Sequence, residues 1–405
     1  MSHLTIRNIG PIMNVDIELN KVNFFIGPQS SGKSTIAKII SFCSWLEKVV
    51  PNEDELIGEG REAYRRLMSY HHMESYFSED SALCYVGENI VYTYNWSKRP
   101  IDMPWRDYNT ISSPKESIYT PYSKNISPKV IYIPAERNFV SRVPNLRRYA
   151  EDNDNLMDFV QDSLDACRRY SAGNRLHLLN LGADYYYQDG LNNIELTNGK
   201  RIPLDAASSG LQSIVPLLTL IDWLADGIYR QEKPFSFDER DQITNILTEI
   251  NRSSSTPDEV DRLKARLAGF VQGKIYTHTQ FIVEEPEQNL FPTTQCELVY
   301  YLLRAINHGR KHRLVVTTHS PYVLYALNNA MLLSEVEDRL PASLKDSLQC
   351  RDSSISSDLV SIWQIESGNV ANIKNERTHL LGKHYFNDIM DRTLGDYYKM
   401  VGYLK

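Results

Sequence analysis

No run of 18 apolar residues occurs in this chain, so it offers no obvious bilayer-spanning helix. Its first residues, MSHLTIRNIG, lack the basic and apolar regions of a secretory signal. These two absences lead to the expectation of a soluble, cytoplasmic protein with no membrane partner. Cysteine is sparse: the five, at 43, 84, 167, 296 and 350, form no CxxC pair, which argues against a zinc site or a disulfide framework and leaves buried thiols. Positive charge is not in excess either. A net charge of -7 and a pI near 5.9 deny the whole chain the electrostatic footprint of a nucleic-acid binder, although a local basic patch remains compatible.

What is present suffices for a sizeable core: 405 residues, 42% of them hydrophobic, predict one large α/β domain with insertions, or two domains. Tyrosine is abundant, at 25 residues, and the cluster Tyr185-Tyr186-Tyr187 reads as a strand. The most informative stretch is Ile26 to Thr35, IGPQSSGKST. It follows the apolar run Val22 to Ile26, too short for a helix, and precedes a plausible helix start at Ser34-Thr35-Ile36. Strand, Gly-bounded loop and helix supply the context that GxxxxGK[ST] requires before it means a phosphate cradle. Gly27 and Gly32 permit the backbone to turn its N–H groups onto a phosphate chain, with Pro28, Gln29, Ser30 and Ser31 between them, and Thr35 follows in the first helical turn. Lys33 would neutralise the β and γ phosphates and the Ser34 hydroxyl would ligate Mg2+. A nucleoside triphosphate, taken as ATP, is the expected ligand.

Leu4 to Asn8 and Val15 to Leu19 alternate apolar and polar around Gly10-Pro11, predicting an antiparallel β meander ahead of the loop strand. The run LTIRNIGPI…VDIELN…VNFFIGPQSSGKST resembles the opening of ABC-type ATPase heads of the SMC, RecF and OLD class. A charged helical segment near Glu53 to Tyr76, a tyrosine-rich hairpin over Leu83 to Trp96 and a Pro/Ser/Asn-rich loop over 100–128 predict an insertion at 45–129. Val130 to Ile133 reads as a buried strand, with Glu136 and Arg137 at its carboxyl edge, where α/β sheets bind ligands. Asn155 to Tyr170 reads as an amphipathic helix. Asp184–Gln188, Asn193–Leu196 and Arg201–Leu204 read as strands turned by Asp189-Gly190 and Asn198-Gly199.

Ser208, Ser209, Gly210 and Gln212 open the apolar helix Ile214 to Leu224. Alone they would be a helix cap. In the order P-loop, SSGLQ, acidic strand, they resemble the ABC signature LSGGQ with Leu211 replacing its second glycine. Residues 231–274 predict a short helical insertion, far too short for an SMC arm. Gln280 to Val283 is an apolar strand that ends in Glu284-Glu285-Pro286-Glu287, and carboxylates there are costly unless they meet a cation or a proton. This run resembles a Walker B motif, which implies that Glu284 holds the magnesium shell and Glu285 orients the attacking water. Glu284 stands where many family members have Asp. Arg313 to Thr317 is another strand, and Thr318-His319-Ser320-Pro321 after it resembles the switch-histidine segment, with His319 sensing the γ-phosphate.

The fold class expected is therefore α/β: a P-loop NTPase of ABC-ATPase type, with a mostly parallel central sheet. Residues 1–44 and 130–335 form the head, and 336–405 form an α/β extension packed on it; after His319, Met331–Leu333 and Ser361–Ile365 are strand candidates and Tyr385–Leu404 an amphipathic helix. Arg377, His379 and His384 read as solvated surface. No Toprim carboxylate set is found. The motif set resembles the compact AAA-type, ABC-like ATPases of bacterial defence systems and the OLD group, implying an ATP-sandwich homodimer that governs a protein effector encoded nearby in antiviral defence. A RecF-like ATPase clamping DNA is the alternative.

Overall fold

The computed structural model describes residues 2–49, 61–95, 115–119, 127–143, 155–230 and 276–404, with isolated positions between 244 and 260. The helical insertion expected over 231–274, and most of the loop expected over 100–128, lie outside the described residues. In chain order the strands are β1 (Ser2–Ile9), β2 (Ile12–Leu19), β3 (Val22–Ile26), β4 (Phe77–Val86), β5 (Val91–Asn95), β6 (Lys115–Tyr119), β7 (Pro128–Ile133), β8 (Leu176–His177), β9 (Ala183–Gln188), β10 (Leu191–Leu196), β11 (Arg201–Pro203), β12 (His278–Glu284), β13 (Arg313–Thr318), β14 (Val360–Glu366) and β15 (Asn369–Asn372). Eleven of them share one sheet in the order β6-β5-β4-β1-β2-β15-β14-β3-β13-β12-β7, and β8 to β11 form a second.

The sheet has two regimes. From β14 to β7 every pairing is parallel, and β3 and β12 are buried along their whole length, as strands covered on both faces must be. From β6 to β2 the pairings are antiparallel, and β2 alternates between buried and exposed residues, as a sheet wet on one face does. The longer helices are α1 (Lys33–Val49), α2 (Arg61–His71), α3 (Asn155–Cys167), α4 (Ser209–Asp222), α5 (Pro292–Asn307), α6 (Pro321–Val336) and α7 (Tyr385–Val401). Alternate residues of β3 serve opposite cores: Val22, Phe24 and Ile26 pack with α3 to α6, while Phe25 packs with α1, α2 and the antiparallel strands. Two hydrophobic layers thus hold β3, and the loop after it, from both sides. The helix from Ser209 to Arg230 is long and apolar enough to cross a membrane, but 83% of that window is buried in the protein.

Three expectations are corrected. Val360–Glu366 is no part of an appended layer: as β14 it pairs in parallel with β3, in the middle of the sheet. Its burial on both faces supplies the reason, since an apolar strand gains most where both faces are covered. The hairpin expected inside an insertion is found as β4 and β5, but it continues the main sheet from β1 and buries Tyr85 and Tyr92. Met331–Leu333 lies within α6 rather than a strand; a short apolar run does not distinguish a buried helix from a buried strand. The hairpin turn Asp189-Gly190 is as expected, with φ of 54° and 82°, the signs a type I′ turn needs.

Candidate active site

The carboxyl edge of the parallel strands collects the expected residues. β3 runs into residues 27–32 and α1 starts at Lys33. Gly32 has φ +103°, and a Cβ there would sit 2.3 Å from Ile12 Cδ1; at Gly27 a Cβ would meet the Ile365 carbonyl at 2.5 Å. The loop is therefore clamped between β2 and β14, and side chains at these two positions would push it off them. Pro28, Gln29, Ser30 and Ser34 are exposed, Ser31 is half-buried, and Lys33 and Thr35 are buried. Lys33 Nζ donates to the carbonyls of Gly27 (3.0 Å) and Pro28 (2.7 Å). Burial pulls its pKa down to about 8, against the opposing field of Glu285, Glu287 and Glu284. This ammonium lies among carboxylates and folds back on its own loop, in the position from which a phosphate would draw it out.

Glu284 closes β12 and is 8% exposed, and its Oε1 has no hydrogen-bond partner. A carboxylate oxygen without a hydrogen bond at a buried strand end, together with the exposed Ser34 hydroxyl at the start of the loop helix, is a donor set whose chemistry fits a hard cation such as Mg2+. Glu285 follows with φ of 42°, a left-handed conformation that a non-glycine residue adopts only under tertiary constraint. It stands 3.3 Å from His319 Nε2. The hydrogen bond from His319, together with the charges of Lys33 and Arg137, holds the Glu285 carboxyl below the usual range against its burial. It is thus kept ionised, as a water-orienting base must be. Glu287 Oε1 accepts from the Thr318 hydroxyl (2.8 Å) and the His319 N–H (2.6 Å), while burial raises its pKa. It ties the end of β13 to the loop after β12, and so sets the distance between Glu285 and His319.

The sequence reading missed the centre of this arrangement. Arg137, placed beside Glu136 only as a candidate for the edge of β7, is 0% exposed, whereas Glu136 is exposed. Its guanidinium donates to the carbonyls of Glu284 (2.9 Å), Glu285 (2.9 Å), Pro286 (3.1 Å), Ser213 (3.2 Å) and Pro134 (3.4 Å). Burial lowers its pKa to about 10, and the four surrounding glutamates resist that fall. Arg137 is a positioning residue: one rigid fork fixes the strained Glu285 backbone and joins it to α4.

Ser208 caps α4, accepting from Leu211 N, and Ser208 and Ser209 are exposed. Gly210 lies against the carbonyl of Asn289, and Asn289 Nδ2 donates to Ser213 Oγ at 3.1 Å, so the helix start rests on the loop that follows Glu285. Gln212 behaves differently from its neighbours. It is 3% exposed and its amide donates to the carbonyls of Asp205 (2.8 Å) and Ala207 (3.0 Å), which occupies it in stabilising the turn rather than in meeting a nucleotide. Lys33, Glu284, Glu285 and His319 are thus brought together, and Arg137 links their loop to α4 through the Ser213 carbonyl. His384, read as solvated, is 4% exposed, and burial lowers its pKa.

No protein-family model matches the chain, and no curated protein matches it. Among solved structures, the chain is similar to an SMC head domain from Thermotoga maritima at 12% identity and a TM-score of 0.40, over 92% of this chain and 98% of that one. It is also similar to an Smc head domain with an extended coiled coil, bound to the C-terminal domain of ScpA, from Pyrococcus furiosus, at 10% identity and a TM-score of 0.41, over 92% and 96%. A nucleotide-free ATP-binding cassette from an ABC transporter matches at 11% identity and a TM-score of 0.27, over 96% of each chain.

Proposed function

We propose that this protein is an ABC-type ATPase that binds Mg2+ and ATP at Gly27–Thr35 and hydrolyses the γ-phosphate. The observation that carries the proposal is the grouping of a recessed Lys33, an unpartnered Glu284 oxygen and an ionised Glu285 held by His319, all at one sheet edge. Lys33 leaves the Gly27 and Pro28 carbonyls for the β and γ phosphates. Ser34 and Glu284 would hold Mg2+, which when bound would supply charge neutralisation for the phosphates. Glu285 orients and deprotonates the attacking water, and His319 couples its carboxylate to the γ-phosphate position. Ser209 is exposed and Gly210 half-buried at a helix start, the kind of surface that donates N–H groups to an anion on another molecule. Two copies would therefore share each site.

We further infer that the cycle moves a separately encoded protein effector, in antiviral defence, as the motif resemblance implies. A clamp on duplex DNA is the alternative reading. The test is phosphate release by purified wild-type, Lys33→Ala and Glu285→Gln protein with Mg2+ and ATP. Wild type should turn over, Lys33→Ala should lose ATP affinity while remaining folded, and Glu285→Gln should bind without turnover. Retained ATP affinity in folded Lys33→Ala would defeat the assignment. Capture of a protein by Glu285→Gln plus ATP would support the effector reading, and tight duplex binding at physiological salt without such capture would replace it with the clamp.

A further inference from the structure

Strand β7 runs parallel to β12, with Tyr132 opposite Ile282 and Ile133 opposite Val283. Successive side chains of a strand alternate between its faces, so Glu284, two residues past Ile282, lies on the face that Ile282 shares with Tyr132. That face packs against α1 and α2, and Tyr132 is 2% exposed. Its ring meets that of His71, the last residue of α2, with centroids 5.2 Å apart and planes at 60°. Two polar atoms are left over here: among the described residues neither the Tyr132 hydroxyl nor Glu284 Oε1 has a hydrogen-bond partner. They are neighbours all the same, since after burial the Glu284 carboxylate is the foremost cause that pushes the Tyr132 pKa well above its usual value. A buried donor and a buried acceptor left unmatched destabilise the free protein, and native proteins keep few such groups without a functional reason.

We propose that Tyr132 is a positioning residue for Glu284: in the loaded site its hydroxyl donates to one carboxylate oxygen and leaves the other to face the cation. The inference rests on the reading of Ser34 and Glu284 as the groups that hold the metal. Within the run Glu284-Glu285-Pro286-Glu287 the other two carboxylates already have their tethers. Glu285 is held by His319, and Glu287 by the Thr318 hydroxyl and the His319 N–H. Tyr132 is the group placed to do the same for Glu284. A carboxylate that ligates a metal is ordinarily hydrogen-bonded in turn, because the bond fixes which oxygen is presented and raises the affinity of the site. Glutamate needs that help, since its carboxylate rides on a long rotatable stem and offers two equivalent acceptor oxygens. The His71 contact keeps the tyrosine ring in place, so that the anchor itself does not swing. No proton changes hands; the hydroxyl stays neutral and donates.

The test is Tyr132→Phe in the full chain, which removes the hydroxyl and keeps the ring against His71. Three measurements are made: urea denaturation without nucleotide, affinity for a non-hydrolysable ATP analogue in EDTA, and Mn2+ affinity of the analogue-bound protein by electron paramagnetic resonance. The urea midpoint should be no lower than that of wild type, because the deleted hydroxyl was unbonded in the free protein. Analogue affinity in EDTA should be unchanged. Mn2+ affinity should fall about tenfold, the scale for losing a group that orients a metal ligand. In a Glu284→Asp background the shortened side chain withdraws the carboxylate from the hydroxyl, so adding Tyr132→Phe should change Mn2+ affinity by less than about twofold. A tyrosine with a merely structural role gives the reverse pattern, a lower urea midpoint with Mn2+ affinity intact, and that result overturns the proposal. So does a full tenfold loss on adding Tyr132→Phe to Glu284→Asp. Glu284→Gln separates the two readings: if it loses Mn2+ while Tyr132→Phe keeps it, the metal assignment stands and this inference falls. If Glu284→Gln binds Mn2+ as wild type does, the metal assignment falls and takes this inference with it.

Discussion

Arg137 offers a demanding prediction, because its five acceptors are all backbone carbonyls and no ordinary ion-pair argument protects it. In Arg137→Met the stem is kept in size while every donor is lost, leaving the carbonyls of Glu284, Glu285 and Pro286 without the guanidinium and removing a positive charge that interacts with Glu287. Breaking a fully buried charged network costs about 3–5 kcal/mol. With a urea dependence at or above the upper end for small proteins, about 3 kcal/mol per molar, the midpoint should fall by roughly 1–1.5 M. Arg137→Lys keeps the charge but loses the planar fork, so it should destabilise less and leave ATP affinity nearly intact. Hydrolysis is different. The left-handed backbone at Glu285 is no longer held, and turnover in Arg137→Lys should drop at least about tenfold, the scale expected when a general base is displaced by a fraction of an ångström. Urea denaturation followed by fluorescence, nucleotide titration and phosphate release separate the three effects. Wild-type turnover in a folded Arg137→Lys protein would refute the claim that the guanidinium positions Glu285.

Other perturbations follow from the same geometry. Lys33 has a pKa near 8 in the free protein and a higher one beside phosphates, so above pH 8 binding must take up a proton; ATP affinity should be flat below that point and fall by up to about tenfold per pH unit above it. Calorimetric titrations at pH 9 in two buffers of different ionisation heat should reveal the uptake, and buffer-independent heats would contradict it. Removing His319 as His319→Ala takes away the hydrogen bond that holds Glu285 low, so the acid limb of the pH–rate profile should move to higher pH. An unmoved limb would detach that pair from the rate. Glu285→Gln should lose about 10² or more in turnover and accumulate with ATP in a closed state visible by light scattering.

How much of this could be read from the sequence depends on how local each feature is. The phosphate loop is contiguous, and its strand–loop–helix context lies within a few residues of Lys33, so loop, β3 and α1 were all legible. So were β7, β12 and β13, because an apolar run ending in Pro, Glu or His is a local signal. β14 was seen as a strand but misplaced: its parallel pairing with β3 joins residues 360–364 to 22–26, and nothing in either segment names the other. Arg137 was illegible for the same reason, since three of its acceptors lie 147, 148 and 149 residues away and are backbone atoms with no side-chain signature. Gln212 shows the converse. Its place in SSGLQ suggested a nucleotide contact, yet a glutamine beside a tight turn can satisfy two carbonyls locally, and that is where its amide goes. The period of α7 was visible too, but a helical stripe does not say whether it faces a core or water.

The central claim, that each ATP site is completed by two chains, is tested most directly by mixing two inactive proteins. Lys33→Ala chains lack the phosphate charge and Ser209→Arg chains block the helix start, so a heterodimer contains one intact site and one doubly defective one. With free exchange, an equimolar mixture should release phosphate at about a quarter of the wild-type rate, because half of the dimers are mixed and each has one working site. If exchange is demonstrated by native mass spectrometry and the mixture remains as inactive as its components, the site lies within a single chain and the account is contradicted.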